Sequence, residues 1–269
     1  MKHERIFLDK SDDRVYIDTY VADDTGFKRE AMLVIPGGGY QMVCYWREGE
    51  PVALRYFAEG FNTFVLSYRV NGDRYPSQLL DASRAIVYLK DHADELGIDP
   101  EKIYACGFSA GGHLAGSLAI LHKDREVLDT LGVPMGYNRP RACVLCYPVV
   151  TAAHDTHGGS FLSLVGKPVD EFTEDEKKKY SLERNVDSDS APVFIWHTAE
   201  DQAVPPVGSL MLAKEYIDAK IPVALHLYPY GPHGIALGNK ITVSDNPDFI
   251  QPMAEGWVDE SIEWLRSLK

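Results

Sequence analysis

The segment Gly107-Phe108-Ser109-Ala110-Gly111 carries the strongest chemical signal in the sequence, because it matches the pattern G-x-S-x-G. It follows the apolar run 103–106 directly and opens a run of small residues. Where such a serine lies on a sharp turn between a strand and a helix, its hydroxyl is exposed and flanking side chains would clash. Ser109 is therefore the predicted nucleophile, and the backbone N–H of Ala110 is the predicted first oxyanion donor. A tight turn that merely contains a serine is the alternative.

A second glycine-rich segment, Pro36-Gly37-Gly38-Gly39-Tyr40, follows the apolar run 31–35. Glycines at a strand end let backbone N–H groups approach a ligand closely, so this segment is expected to supply further oxyanion donors. A phosphate-binding loop is disfavoured because neither G-K-[ST] nor G-x-G-x-x-G follows, and a plain flexible loop stays open. Tyr40, Trp46 and Tyr68 are candidate walls of a substrate pocket, with core packing as the alternative.

Asp201 and His233 are the predicted acid and base. A serine hydroxyl is a poor nucleophile until a base takes its proton, and imidazole suits that task near neutral pH. Asp201 follows the apolar run 193–197, and His233 lies in a Gly-Pro-His-Gly loop after the run 224–228. Both residues thus leave the carboxyl ends of predicted strands, in the chain order Ser, Asp, His that this class of enzyme uses. Glu200 is the rival acid.

The other histidines have simpler interpretations. His113 follows Ser109 by four residues and is expected to be a buried structural residue. His226 lies within a predicted strand, and His197 ends one, where a supporting hydrogen bond is expected. His154 and His157 lie on an insertion where they could contact substrate or metal, although no metal site is predicted.

Alternating apolar runs and amphipathic segments must position these groups. The runs that we interpret as strands are 15–21, 31–35, 63–68, 103–106, 143–147, 193–197 and 224–228. Helices are predicted after Pro51, Pro76 (ending at Gly97) and Pro206, and over about 255–268. This alternation predicts an α/β fold with a mostly parallel central sheet flanked by helices on both faces.

Two features depart from that regular alternation. Run 15–21 alternates apolar and polar residues, so it is expected to form an antiparallel edge hairpin with 31–35. The stretches 151–190 and 235–254 fit neither pattern, and they are expected to be lid-like insertions of a single domain over 1–269. For the charged run 174–179, a solvated surface helix is the favoured interpretation.

Composition excludes several classes of protein. The 269 residues carry a formal charge of −13, which disfavours nucleic acid and anionic membranes as partners. No apolar run approaches the roughly 18 residues of a membrane span, and residues 1–11 are charged, so neither a span nor a secretory signal is expected. A cytoplasmic location follows by default. Cys143 and Cys146 form a C-x-x-C within a predicted strand, where they would face opposite sides and form part of the core.

The segment LGIDPEKIYACGFSAGGHLA at 96–115 resembles the elbow region of the hormone-sensitive-lipase-like esterases. The glycines after Pro36 resemble that family's oxyanion loop, which more often begins with His. Pro36, together with SLE at 181–183, WHT at 196–198 and GPHG at 231–234, makes the chain more similar to the bacterial acetyl-xylan-esterase-like carboxylesterases. The resemblance covers roughly residue 31 to the C-terminus and implies the α/β-hydrolase fold and the triad named above.

The resemblance also implies an oxyanion hole from Gly38, Gly39 and Ala110, and removal of acetyl groups from small esters or acetylated sugars. The predicted activity is that of a serine carboxylesterase that cleaves short acyl esters through an acyl-serine intermediate, without a cofactor. The expected partner is a small-molecule ester, with an acetylated sugar as the candidate, and a homo-oligomer stays open. The alternative is an amide hydrolase, either an arylformamidase or a small peptidase. A catalytically dead binding protein is disfavoured by the intact triad.

Overall fold

Within residues 1–153, 155–243 and 245–269, which the computed structural model describes, eight strands form one sheet in the order β1-β2-β4-β3-β5-β6-β7-β8. The strands are β1 (Lys2–Phe7), β2 (Tyr16–Val21), β3 (Arg29–Ile35), β4 (Asn62–Ser67), β5 (Ile98–Phe108), β6 (Cys143–Cys146), β7 (Val193–Thr198) and β8 (Val223–Tyr228). From β4 to β8 every neighbouring pair is parallel, whereas β1 and β2 pair antiparallel at one edge. The predicted mostly parallel α/β sheet is confirmed.

Helices cover both faces of the sheet, and this explains why the central strands are continuously apolar. The helices are α1 (Glu50–Ala58), α2 (Ser77–Asp91), α3 (Ala110–Ile120), α4 (Arg125–Leu131), α5 (Gly158–Val165), α6 (Glu174–Tyr180), α7 (Val207–Asp218) and α8 (Trp257–Ser267). Helices α2, α3 and α7 contribute to the core on one face, and α1 and α8 to the core on the other. No helix among the described residues is both long and apolar enough to cross a membrane.

The predicted hairpin between 15–21 and 31–35 is wrong. β2 pairs antiparallel with β1 and β4, while β3 lies inside the sheet between the parallel strands β4 and β5. Residues 31–35 are all buried, which requires neighbours on both sides. β1 escaped prediction because its charged, exposed residues lack an apolar pattern. Helix α2 also ends earlier than predicted, at Asp91, with turns leading to Gly97 in the left-handed conformation.

The four cysteines are buried and free. Cys143 belongs to one hydrophobic core and Cys146 to the other, as predicted for residues three apart on a strand. Their thiols therefore serve core packing on opposite sides of β6.

The charged run 174–179 forms most of α6. A capping box between Thr173 and Glu176 closes the first turn of this helix. The side chains of α6 are largely exposed, as expected for a surface helix. The stretch 235–254 contains turns and a short 3₁₀ segment at Pro247–Phe249.

Candidate active site

Ser109 lies at the sharp turn between β5 and α3. Its backbone is strained, with φ 53° and ψ −117°, in a region that residues with side chains rarely adopt. A Cβ atom at Gly107 would lie 2.1 Å from the carbonyl oxygen of Gly111, and one at Gly111 would lie 2.2 Å from that of Ile35. Both flanking positions thus require glycine, which is the physical basis of the G-x-S-x-G pattern.

The structure brings Ser109, His233 and Asp201 together in a continuous hydrogen-bonded chain. His233 Nε2 lies 2.8 Å from Ser109 Oγ, and His233 Nδ1 lies 2.6 Å from Asp201 Oδ2. A carboxylate only accepts, so the proton on the ring faces Asp201 and the lone pair of Nε2 faces the serine hydroxyl. This is the tautomer that a general base for Ser109 requires.

Asp201 is buried and held by several donors. Its Oδ1 accepts the N–H groups of Ala203 and Val204, at 3.0 and 2.9 Å, and its Oδ2 accepts Nε2–H of His197 at 3.1 Å. Burial alone would raise the pKa of Asp201, but the hydrogen bonds from His197 and His233 outweigh it and hold the pKa well below its usual range. Asp201 is therefore an anion that fixes the orientation of the imidazole.

The supporting hydrogen bond expected of His197 is present, and His197 is itself held by Ser209, whose Oγ lies 2.8 Å from Nδ1. The rival acid Glu200 is exposed and accepts the N–H of Gly231 instead. The geometry thus favours Asp201 over Glu200 as the partner of His233.

Gly38, Gly39 and Ala110 have backbone N–H groups suited to an oxyanion. Ala110 is the first residue of α3, so its N–H has no partner within the helix. Within the part of the chain that the structure describes, the N–H groups of Gly38 and Gly39 donate no hydrogen bond. Gly38 has a φ of 125°, and a Cβ there would lie 2.1 Å from the carbonyl oxygen of Met42. The loop conformation therefore depends on glycine.

Two of the three candidate pocket residues lie in the core and not at the cleft. Tyr40 and Tyr68 are each 1% exposed and belong to the core, which was the alternative interpretation. The hydroxyl of Tyr68 donates to the carbonyl oxygen of Pro36, and that of Tyr40 lies 2.8 Å from Nδ1 of His113. These tyrosines pack behind the glycine loop. Burial of their apolar rings in the core is more favourable than exposure of the rings at the cleft. Trp46 is 57% exposed and stacks with Arg47.

The other candidate histidines are distributed as follows. His113 is buried, as predicted, and desolvation lowers its pKa to about 4. The side chain of His226, on β8, lies 2.9 Å from that of Glu260 on α8. His157 caps α5 through Nδ1, which accepts the N–H of Ser160, and burial lowers its pKa, as does the nearby charge of His233. His154 lies outside the described residues.

Sequence reasoning missed two parts of the site. Glu48, in the charged string Arg47-Glu48-Gly49-Glu50, is buried beneath the glycine loop with its carboxylate against Gly37. An open cavity of about 950 Å³ adjoins His233 and is lined mainly by polar groups, among them Glu200, Gln202, Asp248 and Gln251. Neither had a sequence signal, because charged and amide side chains on loops normally indicate exposed surface.

Comparison with known proteins identifies the family. A family model described as BD-FAE matches residues 17–216. The chain belongs to the BD-FAE family. The BD-FAE chain is also similar, at 31% identity and a TM-score of 0.84, to an acetyl ester-xyloside bifunctional hydrolase from Caldicellulosiruptor lactoaceticus, and the match covers 98% of this chain and 96% of that one.

Two curated relatives extend the comparison. The BD-FAE chain is 39% identical over 222 residues to endo-1,4-beta-xylanase B of Butyrivibrio fibrisolvens, a match that covers 79% of this chain and 33% of the relative. It is 29% identical over 214 residues to an acetylxylan esterase of Xylanibacter ruminicola, which covers 77% of this chain and 41% of the relative. The chain thus spans less than half the length of either. The predicted resemblance is confirmed, and the chain is an α/β hydrolase of a carboxylesterase family.

Proposed function

We propose that the protein hydrolyses short acyl esters, with Ser109 as nucleophile, His233 as general base and Asp201 as the residue that orients it. The observation that carries this proposal is the unbroken hydrogen-bond chain, with distances of 2.8 and 2.6 Å, in the tautomer that lets Nε2 accept the serine proton. Mutual distance and order of this kind distinguish a catalytic triad from three polar neighbours.

The reaction proceeds in two steps. Nε2 of His233 takes the proton of Ser109 Oγ as this oxygen attacks the ester carbonyl, and the N–H groups of Gly38, Gly39 and Ala110 stabilise the resulting oxyanion. The carbon–oxygen bond to the alcohol then breaks, the imidazolium gives its proton to the departing alkoxide, and the acyl group stays on Ser109. Water, deprotonated by His233, attacks the acyl-serine and releases the acid and the free serine.

The acyl group that best suits the cleft is acetyl. The side chains of His157 and Ser160 border the space in front of Gly39, since each would lie 3.9 Å from a Cβ atom at that glycine. Ser160 presents its hydroxyl oxygen there and His157 presents the Cε1 carbon of its imidazole, so this wall suits a short acyl group better than a long apolar chain. A short, compact acyl group therefore binds at lower cost than a fatty one.

The alcohol is a neutral sugar, for three reasons. The cavity beside His233 is open and lined by carboxylate and amide groups, which match the hydroxyl groups of a carbohydrate. The net charge of −13 disfavours anionic substrates. The relatives that carry a substrate in their names include an acetylxylan esterase and an acetyl ester-xyloside hydrolase.

We also propose that residues 1–269 form one domain whose insertions border the cleft. The stretch 151–190 contributes His157 and Ser160 to one side, and the stretch 235–254 contributes Asp248 and Gln251 to the cavity on the other. In this arrangement the first insertion limits the acyl group and the second contacts the alcohol.

Hydrolysis rates on p-nitrophenyl esters from acetate to decanoate test the acyl part of the proposal. We expect a steep decline beyond butyrate, and a maximum at octanoate or decanoate would refute the acetyl assignment. The Ser109→Ala variant is the control, with an expected loss in kcat of about 10³–10⁶-fold. Release of acetate from acetylated xylo-oligosaccharides, compared with p-nitroacetanilide, then separates a sugar esterase from the amide-hydrolase alternative, which no observation favours.

A further inference from the structure

Glu48 is a buried carboxylate that the proposed mechanism does not use. It is 3% exposed and lies on a π-helical turn, Tyr45–Gly49, that leads directly into α1. Within the described residues it forms no ion pair, although a buried charge is costly without compensation. Two donors compensate it: the N–H of Gly37 at 2.8 Å to Oε2, and the hydroxyl of Tyr147 at 2.9 Å to Oε1. Both oxygens accept hydrogen bonds, as the ionised form does.

The first contact anchors the oxyanion loop. Gly37 directly precedes Gly38, and a Cβ atom at Gly37 would lie 3.0 Å from Cβ of Ser109 and 2.6 Å from the carbonyl oxygen of Phe108. The backbone of Gly37 is thus packed against the nucleophile, and its N–H points away from the cleft to Glu48. Fixing this peptide sets the direction of the next N–H groups along the loop.

The second contact reaches the loop of the base. Tyr147 follows β6, and its hydroxyl accepts the N–H of Ala236 at 3.1 Å while it donates to Glu48. Ala236 lies three residues after His233, and the ring of Tyr147 meets the ring of His233 edge-on, with centroids 5.0 Å apart and an interplanar angle of 72°. One carboxylate therefore connects the loops that follow β3, β6 and β8.

We propose that Glu48 is a positioning residue that holds the oxyanion loop and, through Tyr147, the His233 loop in register, and whose negative charge stabilises the imidazolium formed during attack. The inference rests on the proposed function, since it assigns Glu48 a part in that reaction. Burial raises the pKa of Glu48 above its ordinary value, and the hydrogen bonds from Gly37 and Tyr147 offset part of this effect.

The electrostatic surroundings determine what a pH test can report. The titratable groups that act on Glu48, on His233 or on both are Arg47, Tyr147, Tyr68, Cys44, Cys146, His157 and Asp201. Asp201 and Glu48 are carboxylates that act on His233, and the carboxylates of Glu200 and Asp248 line the same cavity as His233. Replacing Glu48 by glutamine keeps the shape of the side chain and removes one negative charge that favours the protonated form of His233.

The rate at which a fluorophosphonate labels Ser109, measured against pH, is the primary readout, because it requires the base and the oxyanion loop but no particular ester. For Glu48→Gln we expect slower labelling, a kcat on p-nitrophenyl acetate lower by about 10²-fold with KM nearly unchanged, and a pH midpoint moved to lower pH. The downward direction follows because loss of a negative charge makes the imidazolium harder to form. A midpoint and kcat equal to those of the wild type would overturn the proposal.

Asp81→Asn is the matched control, since Asp81, on α2, is also buried but forms an ion pair with Arg69. It should cost stability and leave the pH midpoint in place; a shift as large as that of Glu48→Gln would refute the specific role. If Glu48→Gln does not fold, Tyr147→Phe tests the same connection: a fall in kcat at constant KM supports it, and an unchanged kcat refutes it.

A different result would refute the proposed function than would refute the role of Glu48. Wild-type protein that is labelled at Ser109 but hydrolyses no ester would refute the esterase assignment, while the pH dependence of labelling would still decide the role of Glu48. Wild-type protein that is not labelled at all would overturn both.

Discussion

A single methyl group added at Gly38 should disable the oxyanion loop without unfolding the protein. The Cβ atom of Gly38→Ala would lie 2.1 Å from the carbonyl oxygen of Met42, a backbone atom that cannot rotate away. Restoring an ordinary contact of at least about 3.2 Å moves the loop by roughly 1 Å. Oxyanion donors work at about 2.7–3.1 Å, so such a shift takes them out of range. Loss of one donor costs about 2.7–4 kcal/mol, and we therefore expect kcat to fall by about 10²–10³-fold.

Steady-state kinetics on p-nitrophenyl acetate provides the measurement, because kcat should fall while KM changes little. Two controls separate the clash from backbone strain. Gly26 has a φ of 79° with no atom within 4 Å of a Cβ, so Gly26→Ala introduces strain alone, far from the site. Gly39 has a φ of 66°, which alanine tolerates at moderate cost, and its nearest neighbours lie 3.9 Å away. If Gly38→Ala retains kcat within threefold of the wild type, or if Gly39→Ala is the more damaging change, the assigned loop geometry is wrong.

Three further outcomes follow from the structure. Asp201→Asn should lower kcat by about 10⁴-fold and Glu200→Gln by less than about tenfold, and equal losses in the two variants would reopen the choice of acid. Burial lowers the pKa of His113 to about 4, below the roughly 6.5 of an unfolded chain. The unfolded state therefore binds a proton before the folded state does, and this lowers the free energy of unfolding by about 3 kcal/mol as pH falls from 6.5 to 4. The difference in the free energy of unfolding between wild type and His113→Gln, measured by urea unfolding, should therefore narrow by about that amount from pH 7 to pH 4. A difference that stays constant with pH would contradict this account. Gln251→Ala should raise KM for acetylated xylo-oligosaccharides severalfold and leave p-nitrophenyl acetate unaffected, whereas an equal effect on both would exclude the cavity as the alcohol site.

The residues of the proposed triad could be chosen from the sequence because each depends on local order. Ser109 has glycines at the positions where side chains would clash, and Asp201 and His233 follow apolar runs in a fixed chain order. Parallel strands bring such loops to the same edge of a sheet, so that distance along the chain does not matter.

Side-chain direction in loops could not be predicted in the same way. Tyr40 and Tyr68 were candidates for the cleft with core packing as the alternative, and both are buried. Glu48 was given no role from the sequence, and it lies buried beneath the glycine loop. A π-helical turn changes which residues face inward by about one position, and nothing in a charged string announces that turn. Strand β1 was missed for a related reason, since an exposed edge strand needs no apolar pattern.

The order of the loops along the sheet has a consequence for how the protein acquires activity. Strands β3, β5, β6, β7 and β8 are successive neighbours in the sheet, and they are followed in turn by the glycine loop, Ser109, Tyr147, Asp201 and His233. Each neighbour contributes one part, and nearly 200 residues of chain separate the first part from the last. A folding intermediate that lacks β8 would hold Ser109 in place without a base, so it would be a correctly shaped but inert nucleophile. Activity should thus appear only when the far edge of the sheet has docked, which makes hydrolysis a sensitive reporter of complete folding.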